Sequence, residues 1–238
     1  MMLEIRILSM MRSGHHAICN WIFEQLSGNS LFINRIDGKV NYFIHSDFCS
    51  WKPDHMIFNF EDLSVLQHNM TIKKIKHVYD LGPKFKNVLV LRDPFNLFAS
   101  RLQMKKIIEK NCKNTTSPVG EFTKEAFALW KNHAFEFLNS SNHLTNKICI
   151  NYNTWCVSKN YREKIASQLG LEFTDLGFDT VPVFGGGSSF DGMTFDGLAQ
   201  NMDVFQRYKH YIDFEWFQSQ FDYEIKKLSQ EIFEFQPL

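Results

Sequence analysis

The chain has 238 residues, of which 44% are hydrophobic and 22% charged, the balance of a globular protein able to bury a sizeable core. Lys+Arg and Asp+Glu both number 26, so the formal net charge is zero and the basic excess of a general nucleic-acid binder is missing; any anion site must be local. No stretch approaches the roughly 18 apolar residues of a membrane span.

The five cysteines (Cys19, Cys49, Cys112, Cys149, Cys156) are odd in number, widely spaced and free of any C-x-x-C pair. That argues against a zinc site or disulfide framework and for a reducing compartment. The N-terminus, MMLEIRILSMMRSGHH, lacks the pattern of a signal or transit peptide, so the expected location is cytoplasmic. The 24 Phe imply bulky sheet–helix packing.

In chain order, Leu3–Ser9 reads as a short buried strand. A turn around Arg12–Gly14 leads into a helix from about His15 to Leu26, where Ala17, Ile18, Trp21, Ile22 and Leu26 form an apolar stripe. Leu31–Asn34 and Met56–Phe60 are short strand candidates. Asn87–Leu91 (NVLVL) is a continuous apolar run, typical of a strand buried on both faces of a parallel sheet. Pro94 opens the next helix, to about Glu109. Lys110–Pro118 reads as a polar surface loop, and Ser117-Pro118 prepares a long helix through Leu138. Lys147–Tyr152 reads as a strand and Tyr161–Leu169 as the helix after it, closed by Gly170. Val183–Gly197 is a glycine-rich loop, and two amphipathic helical segments finish the chain. Strands alternating with helices predict an α/β fold with a largely parallel sheet, and the lack of any linker predicts one domain over residues 1–238.

Two segments carry chemistry. On the phosphate-loop pattern G-x-x-x-x-G-K-[ST], Ser9 takes the first glycine, Gly14 the second, His15 the lysine and His16 the hydroxyl residue. Backbone N–H groups at the helix start suit an anion. The missing lysine and hydroxyl argue against a hydrolysing NTPase, and by itself the segment is equally consistent with a tight βα turn. The second segment runs from the strand Asn87–Leu91 into Arg92-Asp93-Pro94, with Ser100 eight residues after Arg92. Arg92 falls where the carboxyl end of a parallel strand opens to a ligand crevice, and an arginine there can grip phosphate oxygens bidentately. Alone, this segment also fits an Arg–Asp surface pair and a helix serine.

Taken together, R-S-G after the first strand and R-x-P-x-x-x-x-x-S after a later one resemble the sulfotransferase family. The specific matches are Arg12, Ser13 and Gly14 in the first motif and Arg92, Pro94 and Ser100 in the second. Looser likeness extends to the Trp130/His133 segment, the strand ending in Asn151-Tyr152 and the closing LSQEIFEF. The resemblance implies a three-layer α/β/α fold of P-loop nucleoside triphosphate hydrolase-like type, closest in feel to bacterial and carbohydrate-modifying members. It also implies a donor, 3′-phosphoadenosine-5′-phosphosulfate (PAPS), with 3′-phosphoadenosine 5′-phosphate (PAP) as product and no metal. In the family the first motif binds the 5′-phosphosulfate and the second the 3′-phosphate. Carried over, the cofactor-binding set is Arg12, Ser13, Gly14, His15, His16, Ala17, Arg92 and Ser100, with Gly186, Gly187 and Ser188 of the late loop added as weaker candidates.

Three departures from the family pattern stand out. His15 and His16 replace small hydroxyl residues, and their imidazole N–H groups are the expected substitutes, helped by protonation near neutral pH. Ala17 stands where some cytosolic members carry an adenine-stacking tryptophan, a role not transferred to Trp21. The basic loop that supplements the 3′-phosphate site in cytosolic members has no obvious counterpart.

Sulfuryl transfer needs in-line positioning, charge stabilisation and removal of the acceptor proton. Arg12 is the expected cation for the leaving phosphate oxygen. The resemblance places the base, a His or Glu, at a strand end between the two motifs; Met56–Phe60 delivers Glu61 there, with Asp62 next. His68 and His77 fall in a polar segment that reads as surface. The acceptor is expected to be a small molecule or glycan, by preference a carbohydrate hydroxyl, held by segments around Asn34–Trp51 and after Glu109. Two alternatives stay open: a silent nucleotide-binding protein on the same fold and a divergent phosphate-loop kinase or NTPase.

Overall fold

The computed structural model describes residues 2–36, 53–76, 83–111 and 122–238. Five parallel strands, β1 (Leu3–Ser9), β2 (Ser30–Ile36), β3 (His55–Glu61), β4 (Phe85–Leu91) and β5 (Lys147–Asn151), form a sheet in the order β2-β3-β1-β4-β5. The first strand is central, paired with β3 from Leu3↔His55 to Ser9↔Glu61 and with β4 from Glu4↔Phe85 to Leu8↔Leu89. All strands therefore present their carboxyl ends along one edge, and the order reverses beside β1, where an open parallel sheet leaves a crevice for ligand. The continuous apolar run of β4 follows from burial on both faces: Ile5, Ile7, Val88 and Val90 face one layer, Leu8, Leu89 and Leu91 the other, and the two charged residues of β1, Glu4 and Arg6, are buried as a pair with each other.

Helices cover both faces. On one side lie α1 (His15–Phe23), a short α5 (Tyr152–Val157) and α6 (Lys159–Leu169), packed through Ile18, Trp21, Trp155 and Ile165. On the other lie α2 (Val65–Lys76), α3 (Pro94–Asn111), α4 (Lys124–Phe137) and, after a four-residue α7 (Glu215–Gln218), the helix α8 (Tyr223–Phe233). The phenylalanines concentrate in this second layer. Phe98 stacks on Phe127 at 3.7 Å between ring centroids, and Phe122, Phe217 and Phe221 pack around that pair. The result is the predicted three-layer α/β/α arrangement with a parallel sheet and a phosphate-loop-like turn after its central strand. No helix among the described residues is long and apolar enough to cross a membrane.

Several boundaries differ from the sequence expectation. The first helix ends at Phe23, short of Leu26. The strand expected through Tyr152 stops at Asn151, whose side chain accepts from Thr154 N at 3.1 Å and so caps α5, an element with no distinctive sequence signal. The helix expected from Ser117-Pro118 is seen from Lys124, capped by Thr123; residues 112–121, most of the expected polar loop, lie outside the described set. Gly170 closes α6 in the left-handed conformation, as expected. The glycine-rich stretch is partly ordered by a 3-10 turn at Val183–Gly185 and a bridge between Ser188 and Gly192.

The polar segment expected to be surface is the helix α2, and His68 on it is fully buried. Its Nδ1 meets Asn69 Oδ1 at 3.1 Å and its ring stands edge-on to Phe60, while Nε2 has no partner. Burial first, then the charges of Arg6 and His133, pull the His68 pKa down to about 4, against the bond to Asn69. The unfolded chain, with an ordinary histidine near 6.5, binds the extra proton between those values. Stability is therefore complete above about pH 6.5 and falls by on the order of 3 kcal/mol as pH drops towards 4. Urea unfolding at pH 7 and pH 4.5 should show a smaller acid loss in His68→Leu than in the parent.

Candidate functional site

The site forms where β1, β3 and β4 end. After Ser9 the chain turns sharply, with Arg12 at φ 68° and Gly14 at φ 82°. A side chain at position 14 would run into the Tyr152 ring, so glycine is required both for its dihedral and for the close approach. The turn is braced from the neighbouring strand. Asp62 Oδ1 accepts from Met11 N at 3.0 Å, and Arg101 grips both Asp62 oxygens at 2.8 and 3.1 Å. No side chain caps α1 at Gly14. Its first N–H groups and the positive end of its dipole thus face the turn unspent by the helix.

Next to this turn is a buried arginine cluster. Arg92, 1% exposed, donates from Nη1 to Arg12 O at 3.2 Å and to Ser100 Oγ at 3.4 Å, and from Nη2 to Val204 O. Its own carbonyl accepts from Trp130 Nε1 at 2.9 Å, and its guanidinium lies 5.2 Å from the Tyr152 ring centre. Arg207 reaches the same hydroxyl, Nη1 to Ser100 Oγ at 3.2 Å, and Nη2 bonds Ser188 Oγ at 2.8 Å and Asp191 Oδ2 at 3.3 Å. Burial and then the neighbouring Arg92 pull the Arg207 pKa down to about 10, which leaves it cationic at neutral pH. The Arg12 guanidinium, also lowered to about 10 by burial and then by Arg92, donates to Gly187 O at 3.0 Å, and its buried Nε has no partner.

The carboxylate at the end of β3 completes the site. Glu61 Oε1 is met by His15 Nε2 at 3.1 Å, His16 Nε2 at 3.0 Å and Asn59 Nδ2 at 3.0 Å. Among the described residues, the donors to this carboxylate converge on Oε1, so Oε2 is the oxygen turned to a ligand. Burial alone would push the Glu61 carboxyl up; the hydrogen bonds from His15 and His16 outweigh it and hold the pKa well below the usual carboxylate range. His15 moves the other way. Burial, followed by the neighbouring His16, lowers it to about 4, so it is neutral near pH 7. Both of its ring nitrogens are engaged, Nδ1 with Ser13 Oγ at 3.2 Å and Nε2 with Glu61. The expectation of a protonated imidazole at position 15 lending its N–H to an anion is therefore not met. On the far side, Asn34 Oδ1 accepts from Asn59 Nδ2 at 2.7 Å and lies 3.2 Å from His16 Nε2. A register shift in β2 between Ile33 and Ile36, with Arg35 at φ 58°, sets Asn34 and Arg35 at this edge.

These elements enclose a cavity of about 330 Å³, within the size range of small-molecule sites. Arg12, Gly14, His15, His16, Ala17, Glu61, Arg92, Gly186, Gly187 and Ser188 line it, so nearly every residue singled out from sequence lies on one surface. Ser13 and Ser100 sit just behind, turned to His15 and to the two arginines. Trp21 is elsewhere, buried with Nε1 on Asp175. His77, Cys49, Cys112 and most of the segment expected to hold an acceptor lie outside the described residues. Arg207 and Asn59 had no role in the sequence reading, whereas Asn34 and Arg35 fall at the start of the segment expected to hold the acceptor. Four arginines against one carboxylate make the cavity strongly positive in a chain of zero net charge.

No protein-family model matches this chain, and no curated protein sequence does. Among solved structures, a mouse sulfotransferase complexed with PAP aligns with 17% identity and a TM-score of 0.48, covering 72% of this chain and 59% of that one. The present chain thus spans less than two thirds of the length of that sulfotransferase, and at this level the likeness bears on neither chemistry nor acceptor.

Proposed function

We propose that the protein is a sulfotransferase that takes the sulfuryl group of PAPS to an acceptor hydroxyl, of carbohydrate type. The observation that carries this is the pair of buried guanidiniums, Arg92 and Arg207, converging on Ser100 Oγ. A hydroxyl cannot neutralise two cations, and among the described residues the carboxylate that pairs with either of them, Asp191, meets Arg207 alone and is partly exposed. A dianionic phosphate would satisfy both fork-shaped donors together with the hydroxyl. A second anion position follows at the start of α1, where Arg12 adds its charge. Two separate anion positions fit a nucleotide phosphorylated at both 3′ and 5′ better than they fit a triphosphate. The side chains of Trp155, Phe178 and Val181 on the same cavity wall suit its base.

The donor supplies an activated sulfuryl group, whose bond to the 5′-phosphate oxygen breaks as the bond to the acceptor oxygen forms. Arg12 stabilises the charge that collects on that phosphate oxygen without giving up a proton. Glu61 Oε2 takes the acceptor proton, and His15, His16 and Asn59 fix the carboxylate through Oε1. With three donors on it Glu61 is a weak base that is always ionised. Bond breaking to a good leaving group needs no stronger one. Asn34 and Arg35 give the adjoining edge a polar lining suited to a hydroxyl-rich acceptor.

Calorimetry without magnesium should show PAP binding far more tightly than ATP, and a screen of hydroxyl acceptors with radiolabelled PAPS should show transfer. Equal or tighter ATP binding overturns the reading. For the base, Glu61→Gln is expected to keep PAP affinity within a few-fold and to slow transfer by about 100-fold or more; full activity in that variant removes Glu61 from the role. The second reading, a silent nucleotide binder, is favoured by how fully Oε1 is engaged, and tight PAP binding with no transfer to any acceptor would select it.

A further inference from the structure

We propose that His15, His16 and Glu61 form a binding site for a divalent transition ion of the zinc class, with two imidazoles and one carboxylate as ligands. The inference does not depend on the sulfuryl-transfer reading. Its basis is convergence: one ligand atom from each of the three residues lies within 4.8 Å of the other two. His15 Nε2 and His16 Nε2 stand 3.1 and 3.0 Å from Glu61 Oε1. Four ligands at about 2.0–2.1 Å around a tetrahedral zinc are themselves about 3.3 Å apart. Two of the triad's three edges, those from Glu61 to each imidazole, are therefore already near the length such a site needs, and the third lies within 4.8 Å, on side chains held by β3 and the first turn of α1.

The surroundings complete it. An imidazole that binds a metal through Nε2 carries its proton on Nδ1 and needs an acceptor there, and for His15 that acceptor is in place in Ser13 Oγ at 3.2 Å. Asn59 Nδ2 bonds the ligating carboxylate, as carboxylate ligands require. Asn34 Oδ1, 3.2 Å from His16 Nε2, or a solvent molecule from the cavity supplies the fourth position. Two histidines and a glutamate with one open position is a recurrent zinc donor set. Imidazole nitrogen also selects against magnesium and calcium, which prefer all-oxygen sites. With Glu61 the ion carries a net charge of +1 beside Arg12, so the open position favours hydroxide or another small anion. When no ion is bound, the hydrogen bonds of His15 and His16 to Glu61 keep the three side chains converged.

The test uses the full chain, dialysed against chelator and free of nucleotide, titrated with Co(II) and then with Zn(II). One equivalent of Co(II) should give visible d–d bands without thiolate charge transfer, and Zn(II) should displace it. His16→Gln and Glu61→Gln should each weaken Co(II) binding at least about tenfold, and Ser13→Ala by a similar factor through the His15 tautomer. His143→Gln, at an exposed position away from the triad, should change nothing. Should either ligand variant fail to fold, X-ray absorption of the parent Zn(II) complex decides, with two imidazoles and no sulfur expected. No bands, bands that persist in both ligand variants, or sulfur in the coordination sphere would overturn the site. Because no nucleotide is present, none of these results bears on PAP binding, and loss of PAP binding bears on none of them.

Discussion

Replacing Arg207 with alanine is expected to weaken PAP binding by about 100-fold while changing the affinity for adenosine 5′-phosphosulfate, which lacks the 3′-phosphate, by only a few-fold. The magnitude follows from two charge-assisted hydrogen bonds at about 1.5 kcal/mol each, or slightly more than two decades in affinity. Arg207 is a better probe than Arg92. Arg92 also ties the Arg12 and Val204 carbonyls together, so its removal would leave buried acceptors unpaired and confuse binding with stability. The carboxylate that Arg207 leaves behind, Asp191, is partly exposed and can be solvated. Calorimetry with the two ligands on parent and variant gives the difference directly. An equal loss for both nucleotides would place Arg207 at some other part of the ligand, and no loss for either would remove it from the site.

The same arginine shows where sequence reading reached its limit. Arg12, Gly14, Arg92 and Ser100 were legible because each sits at a fixed offset from a strand that its own sequence announces: NVLVL is a continuous apolar run, LEIRILS sets Leu3, Ile5, Ile7 and Leu8 around its two charged residues, and whatever follows such strands faces the crevice. Arg207 follows no strand. It lies in a 3-10 turn, Arg207–His210, and is brought to Ser100 across 107 positions by the packing of that turn on α3, which leaves no local signal. Asn34 and Asn59 are ordinary strand residues until the shift in β2 brings the first within 2.7 Å of the second. The misplacement of His68 has a different cause. VLQHNMTIKKIK reads as polar because its exposed face carries the lysines, yet Val65, Ile72 and Ile75 turn inward with His68 and need few apolar residues to bury one stripe. A helix covered on one side by a Phe-rich sheet can hide a histidine that composition assigns to solvent.

What joins the two ends of the cavity is Tyr152, and this makes position 14 the most sensitive in the loop. Gly14→Ala is expected to cost about 3 kcal/mol or more of stability and to abolish PAP binding at micromolar protein. An alanine held at φ 82° costs about 1–2 kcal/mol by itself. The larger part comes from overlap of the new methyl with the Tyr152 ring. That ring has nowhere to go: it is buried, stacked on Trp155 at 6.0 Å, and lies beneath the Arg92 guanidinium. Moving it displaces Arg92 from Ser100; moving the loop instead displaces Arg12 and the N–H groups at the start of α1. Either response disables one anion position, so affinity falls whichever yields. The cause can be isolated with a double-mutant cycle. Tyr152→Leu is destabilising alone, but in its presence the alanine should cost about 1–2 kcal/mol less than in the parent, because the shorter side chain frees the space while the dihedral penalty stays. Chemical denaturation of the four proteins measures this coupling. Strict additivity would show that the dihedral alone, and not the contact between the loop and Tyr152, makes glycine necessary here.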